Sequence, residues 1–377
     1  MRILQVSPYF HPYVGGQERY VRSLARALVD RGHHVEVLTS NFPRGEKCEV
    51  IDGIRVRRFD ILCRPLNNPV CRMLPFHMTK CYEDFDVVHI HNEHAATSLY
   101  YTILRSHRKI PLVATCHGQL KFDNFAKDLT ERVYNRIVGS RVLRKADKVI
   151  ALSNSDKKYL ISLGVPLEEI SVIPNGVDLA KYNFQQDDRP KSLLFDGKQV
   201  VLFVGPLLKR KGPQILVRAI PLIIRGHSDV VFVFVGKGNF KEETKKLAKR
   251  LDVKQYTYFT GYLSDGQLDY LYRRSDVFVL PSISEGLPYT VLDALAFSKP
   301  IVSTSLPSLK EYLGTSALLV PPRDFEALAH AVTSLLDDEG LCRALGVKGH
   351  RLVETYFRWD VVVEKVLDVY HEVLDAQ

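Results

Sequence analysis

The six cysteines of this 377-residue chain (Cys48, Cys63, Cys71, Cys81, Cys116 and Cys342) include no C-x-x-C pair. That spacing fits neither a zinc site nor a disulfide framework, and a reducing, cytoplasmic setting is the simplest expectation. No apolar run approaches the ~18 residues of a membrane-spanning helix, and the opening MRILQVSPYF lacks the apolar core of a secretory signal. No G-x-G-x-x-G follows a strand-like stretch, which disfavours a nicotinamide dehydrogenase. The loops after the strands hold no D-x-D to grip a metal. No basic stripe is interleaved with stacking aromatics, so nucleic acid is not an expected partner.

What is present is ordinary in amount and uneven in placement. Apolar residues make up 46% and charged residues 25% of the chain, as in globular proteins. The length exceeds one compact core, so two domains are expected. Residues 1–178 carry 26 Lys+Arg against 19 Asp+Glu, most of the net +9. Three readings fit: an anionic membrane surface, a phosphorylated acceptor, or a solvated basic face with no partner.

Strand and helix signals alternate throughout. ILQVS, HVEVLT, IRVRRF, DVVHIH, PLVATC and KVIALS read as strands. ERYVRSLARALVDRG reads as a helix with Val21, Leu24 and Leu28 on one face and Gly32 as its stop. Further helices are expected at 95–107 and 125–145. After the polar, turn-rich stretch that begins VIPNGVD the pattern restarts with QVVLFVG, DVVFVFVG, YTYFTG, DVFVLPS, PIVST and ALLVP. Helices are expected between these strands near 212–225, 241–251, 265–274, 289–298, 324–337 and 340–354. Such a βαβ succession predicts two open, mostly parallel sheets, with ligands beyond the carboxyl ends of the strands.

Four loops are candidates on that rule. Gly15-Gly16 precedes the first helix, where bare backbone suits a phosphate or merely a turn. His117 follows PLVATC, either presented to a substrate or held as a structural residue; His89 and His91 share one sheet face and admit the same structural reading. Lys209, Arg210 and Lys211 follow QVVLFVG, placed to neutralise a diphosphate or simply solvated. SEGLPYTVLDALA puts Glu285 in a loop, Gly286 where backbone can approach closely, and Pro288 in a first helical turn. Asp293 lies about 7 Å further along that helix. Carboxylates so placed suit sugar and ribose diols.

Gly15-Gly16, CHG, IPNGVD, KG, VGKGN, FTGYLSD, DVFVLPS, EGLPYTVLDALAFSKPIV and ALLVPPRD, in order over nearly the whole chain, resemble glycosyltransferase family 4, retaining enzymes of the GT-B fold. The resemblance implies an α/β chain of two Rossmann-like domains facing a central cleft. The acceptor domain would be 1–178 plus 358–377 and the donor domain 179–357, the final helix WDVVVEKVLDVYHEVL crossing back to the first. It implies a nucleotide-sugar donor, a carbohydrate or lipid-linked acceptor, and no metal or other cofactor. Glu285 would meet the donor sugar and Asp293 the ribose. Lys211, with Arg210, would hold the diphosphate beside Gly205, Gly286, Leu287, Pro288 and Tyr289. His117 would sit by the reacting carbon, so His117, Lys211 and Glu285 are the expected catalytic residues.

Two positions depart from the family pattern. Pro206 stands where an arginine is usual and supplies neither charge nor N–H. Asp293 replaces a glutamate, withdrawing the carboxylate by roughly 1.5 Å. The expected activity is hexosyl transfer in glycolipid, polysaccharide or other glycoconjugate synthesis. A nucleotide-sugar epimerase and a non-catalytic nucleotide-sugar binder are the rivals. In FAKDLTERVYNRIVGSRVLRKADK, Phe125, Val133, Ile137 and Val138 stand among Lys127, Arg132, Arg136, Arg141, Arg144, Lys145 and Lys148. The stretch either lies on an anionic membrane face, making the protein peripheral, or packs its apolar side on the sheet.

Overall fold

The computed structural model describes residues 1–81, 84–104, 110–118, 125–179, 182 and 195–376, without the side chains of Leu66, Lys80, Cys81, Leu104 and residues 125–128. The loop 119–124, the end of the helix expected at 95–107 and much of the stretch after VIPNGVD lie outside the described residues. Two compact units divide the chain: one runs to Gly176 and resumes at Trp359, and the other is built on Val177–Arg358.

The strands of the first unit are β1 (Arg2–Val6), β2 (His34–Ser40), β3 (Cys48–Ile51), β4 (Ile54–Phe59), β5 (Ile61–Cys63), β6 (Val70–Cys71), β7 (Val87–His91), β8 (Leu112–Cys116), β9 (Lys148–Ala151) and β10 (Ile170–Val172). Its eight-stranded sheet has the order β10-β9-β8-β7-β1-β2-β4-β3, while β5 and β6 pair separately. All neighbours in the large sheet run parallel except β3, which pairs antiparallel with β4 at the edge. β1, β7 and β8 are buried almost throughout, so they read as continuous apolar runs. Helix Gly16–Val29 buries Tyr20, Val21, Leu24, Ala25 and Leu28, and Gly32 follows it in a left-handed turn at φ +81°.

The final helix, Trp359–Asp375, belongs to this unit. Val362, Val363, Val366, Val369, Tyr370 and Val373 are buried at helical spacing, each side chain contributing about 1.5–3 kcal/mol if fully transferred from water. Arg31 pairs with Glu364 at 2.6 Å and Lys148 with Glu372 at 2.7 Å, fixing the helix at both sides.

The second unit holds β11 (Gln199–Val204), β12 (Val230–Val235), β13 (Thr257–Gly261), β14 (Val277–Leu280), β15 (Ile301–Thr304) and β16 (Leu318–Val320). They form one sheet, β13-β12-β11-β14-β15-β16, parallel throughout. This is the Rossmann order, and its direction reverses between β11 and β14.

Several elements differ from the expectations. The helix expected at 125–145 is Phe125–Tyr134, a π-helical turn over Asn135–Gly139, and Ser140–Leu143. The wider turn carries Asn135 inward, where it bonds His94 and Tyr159. Pro288 is not in a first helical turn. It precedes helix Tyr289–Ala296 as its N-cap, in extended backbone with φ −75° and ψ 141°, its carbonyl accepting from Val291 and Leu292.

Candidate active site

In the second unit the topological switch point lies between β11 and β14, and the loops after those strands carry Lys209–Lys211 and Glu285. The β11 loop is pinned from one side by β12: Gly205 N–H donates to Val235 O at 3.0 Å and Leu207 N–H to Lys237 O at 2.9 Å. Gly236 and Gly238 come so close that a methyl on either would overlap the carbonyl oxygens of Gly205 and Leu207. Pro206 is exposed on this loop and offers no charge. On the other side Gly212, at φ +75°, lies against the Pro281 carbonyl, where no Cβ fits. Ile283 N–H donates to Arg210 O at 2.7 Å, stitching the two loops together.

That stitching brings the expected donor residues into contact. Lys211 Nζ pairs with Glu285 Oε1, and only 12% and 7% of the two side chains are exposed. Ser282 Oγ also donates to Glu285 Oε1, at 2.9 Å. A third loop supports the arrangement: Ser308 Oγ, after β15, lies 2.9 Å from the carbonyl oxygens of both Glu285 and Gly286. Thr304 Oγ1 donates to Ser282 O at 2.6 Å. Arg210 is half-buried beside Lys211 in the same turn.

Gly286 differs from Gly212, Gly236 and Gly238. Beyond its chain neighbours no protein atom lies within 4 Å of where its Cβ would be, and its φ is not left-handed. The fold does not require glycine there, and the bare backbone borders open space. Leu287 and Tyr289 turn their side chains into the core, 3% and 7% exposed. Asp293 is also buried, at 5%, one turn further along the helix. Its Oδ1 accepts the hydroxyl of Tyr182. Tyr182 packs edge-on against Phe297, centroids 4.9 Å apart, and Arg273 donates to its carbonyl at 3.3 Å.

In the first unit the switch point lies between β1 and β7. Gly15 is the extended residue before helix Gly16–Val29, and a Cβ on it would overlap the Glu18 carboxylate. Gly16 faces open space. Burial pushes the Glu18 carboxyl up to about 7. Gln17 links the two loops, accepting from Asn92 at 3.2 Å and donating to Ser7 at 3.3 Å. His117 Nε2 lies 3.4 Å from His91 Nδ1, its ring edge-on to Tyr20. Burial, then the charge of His94, pushes His117 down to about 3, so it is a neutral imidazole at physiological pH. His89 is a structural residue, bonded to Tyr370 Oη at 2.6 Å and Thr115 Oγ1 at 2.7 Å.

Glu18, Asn92, Tyr182, Ser282 and Ser308 are contributors that the sequence reading passed over. Glu18 lies within GGQERY, one turn into the helix, and its place beside a glycine turn was a usable signal. The serines and Tyr182 act through contacts with segments distant in sequence, which no local pattern marks.

Two Rossmann-like units, each opening its loops at a sheet switch point, define the GT-B architecture. Residues 14–181 match the model of Glycosyltransferase Family 4, and residues 184–351 that of Glycosyl transferases group 1. The chain belongs to the family 4 type of GT-B glycosyltransferases. Phosphatidyl-myo-inositol mannosyltransferase of Mycolicibacterium smegmatis is 29% identical over 392 residues, covering 100% of this chain and 95% of that one. Sucrose-phosphate synthase from Thermosynechococcus elongatus superposes with a TM-score of 0.84 at 23% identity, covering 100% of both chains. HepE of Anabaena, solved in complex with UDP-glucose, gives 0.78 at 19% identity, covering 100% of this chain and 99% of that one. Similarity at these last two identities speaks for the fold alone.

Proposed function

We propose that this glycosyltransferase moves a hexosyl unit from a nucleoside-diphosphate sugar to a hydroxyl of a carbohydrate or lipid-linked acceptor, with retained anomeric configuration. The observation that carries the reading is the buried Lys211–Glu285 pair at the switch point, next to the open space at Gly286. The UDP-glucose bound by HepE is a donor of the proposed kind.

In this scheme the bond from the anomeric carbon to the diphosphate oxygen breaks and one to the acceptor oxygen forms on the same face. The acceptor proton passes to the departing diphosphate. Negative charge grows on that leaving group, and Lys211, Arg210 and the first-turn N–H groups after Gly286 would take it up. Glu285 holds Lys211 in position before the donor arrives, then accepts hydrogens from the donor sugar. No divalent ion is needed for this charge neutralisation. His117, neutral, would offer the sugar a hydrogen bond rather than a charge.

The test is incubation with a panel of nucleotide sugars, with and without an acceptor panel, following nucleoside-diphosphate release and the anomeric configuration of the product. Acceptor-dependent release with retention supports the proposal. Donor conversion without acceptor would assign an epimerase, and binding without turnover a carrier.

A further inference from the structure

The stretch 125–148 admits two readings from sequence, a membrane face or a sheet-packing face, and the positions of its side chains separate them. Asn135, Gly139, Ser140, Val142 and Leu143 are the buried residues of the helical turns from 135 on. Leu129, Val133 and Ile137 point outward, 46%, 50% and 50% exposed. Spaced four residues apart, they form a stripe along one side of the helix. The side chains of Phe125 and Lys127, part of the same expectation, lie outside the described residues.

Among the described side chains of 129–144 the exposed charges beside the stripe are all basic. Arg132, Arg136, Arg141 and Arg144 are exposed on the same helical stretch. Among the described residues none of the four makes an ion pair with a carboxylate; Arg141 and Arg144 donate only to the carbonyls of Ile137 and Ser140. Glu131 is turned inward, accepting from Asn135 at 3.2 Å. The outer face thus combines three large aliphatic side chains with four guanidinium groups that pair with no described carboxylate. A protein interior would not accept those charges, and water alone gives no return for exposing the aliphatics.

We propose that this face docks on an anionic lipid bilayer, the aliphatic stripe entering the headgroup boundary and the arginines meeting lipid phosphates. No helix among the described residues is long and apolar enough to cross a membrane, so this would be surface attachment. Each arginine near an anionic surface strengthens binding roughly fivefold, an effect that salt screens. The inference stands apart from the transfer reaction, because attachment needs neither donor nor acceptor.

The experiment is co-sedimentation of the full chain with phosphatidylcholine vesicles and with vesicles holding about one-third phosphatidylglycerol, in ~0.1 M and ~1 M salt. Pelleting with the anionic vesicles alone, lost in high salt, is expected. Arg132→Gln/Arg136→Gln should lower the association constant at least about tenfold. Val133→Ser/Ile137→Ser should weaken binding to the anionic vesicles by a comparable factor. Both pairs are solvent-facing, so unchanged melting temperatures should accompany these losses. Equal binding to neutral and anionic vesicles, no binding to either, or variants that pellet like wild type would overturn the proposal. So would a concentration-dependent dimer in sedimentation velocity that both variants abolish, since the face would then cover a second copy of the chain.

Discussion

The phenolic hydroxyl of Tyr182 donates to Asp293 Oδ1, joining two residues of the second unit that are 111 positions apart. An aspartate at this position reaches less far than the glutamate usual in the family, and the tyrosine meets it inside the protein. A hydrogen bond to a charged group contributes about 1.5–3 kcal/mol. Tyr182→Phe is therefore expected to lower the melting temperature by several degrees and to raise the KM for donor, with a smaller change in kcat. A calorimetric melt indistinguishable from wild type would show that the bond contributes nothing to stability.

Two glycines near the site should behave oppositely. Gly286→Ala places its methyl in open space. The folded protein should melt as wild type does while donor affinity falls at least about tenfold, if a diphosphate approaches that backbone. Gly212→Ala meets the Pro281 carbonyl at a left-handed φ, and stability should drop by more than about 1 kcal/mol. Thermal melts paired with donor titration distinguish the two.

The first unit contains opposed titrations. Glu18 is raised from 4.5 to about 7, so its contribution to stability is full below pH 4.5 and is lost as pH rises through 7. His89 and His117 are lowered from 6.5 to about 3; their contribution is full above 6.5 and is lost as pH falls towards 3. Trp359, the single tryptophan, lies in this unit against Tyr20 and reports its unfolding. Glu18→Gln should gain stability relative to wild type by up to about 3 kcal/mol between pH 5 and pH 8. A constant difference in urea midpoint across that range would show that Glu18 does not titrate there.

Chelation gives a separate check on the proposed chemistry. With cations supplied by Lys211 and Arg210, excess EDTA should leave transfer within about twofold of the untreated rate. Loss of activity restored by magnesium would require a metal in the diphosphate site.

Much of this architecture was legible because parallel strands buried on both faces leave uninterrupted apolar runs, as in VVFVFV of β12. The loops after β11 and β14 were legible for the same reason, each following such a run. The β3–β4 hairpin was passed over although Asp52-Gly53 marks it, both residues adopting positive φ in the two-residue turn. Helices Leu74–Cys81, Asn154–Ser162 and Pro307–Leu313 were also missed. The partners of Glu285 and Asp293 were invisible in the sequence. Ser308 and Tyr182 reach them through tertiary contact, and nothing in either segment's own pattern announces it.

In the proposed reaction Lys211, positioned by Glu285, takes up charge on a departing diphosphate. Single-turnover measurement of donor cleavage by Lys211→Ala tests it most directly, with a melt to confirm folding because the change leaves Glu285 without its cation. A folded variant at least ~100-fold slower than wild type is the expected result. A folded variant with near wild-type turnover would contradict the account.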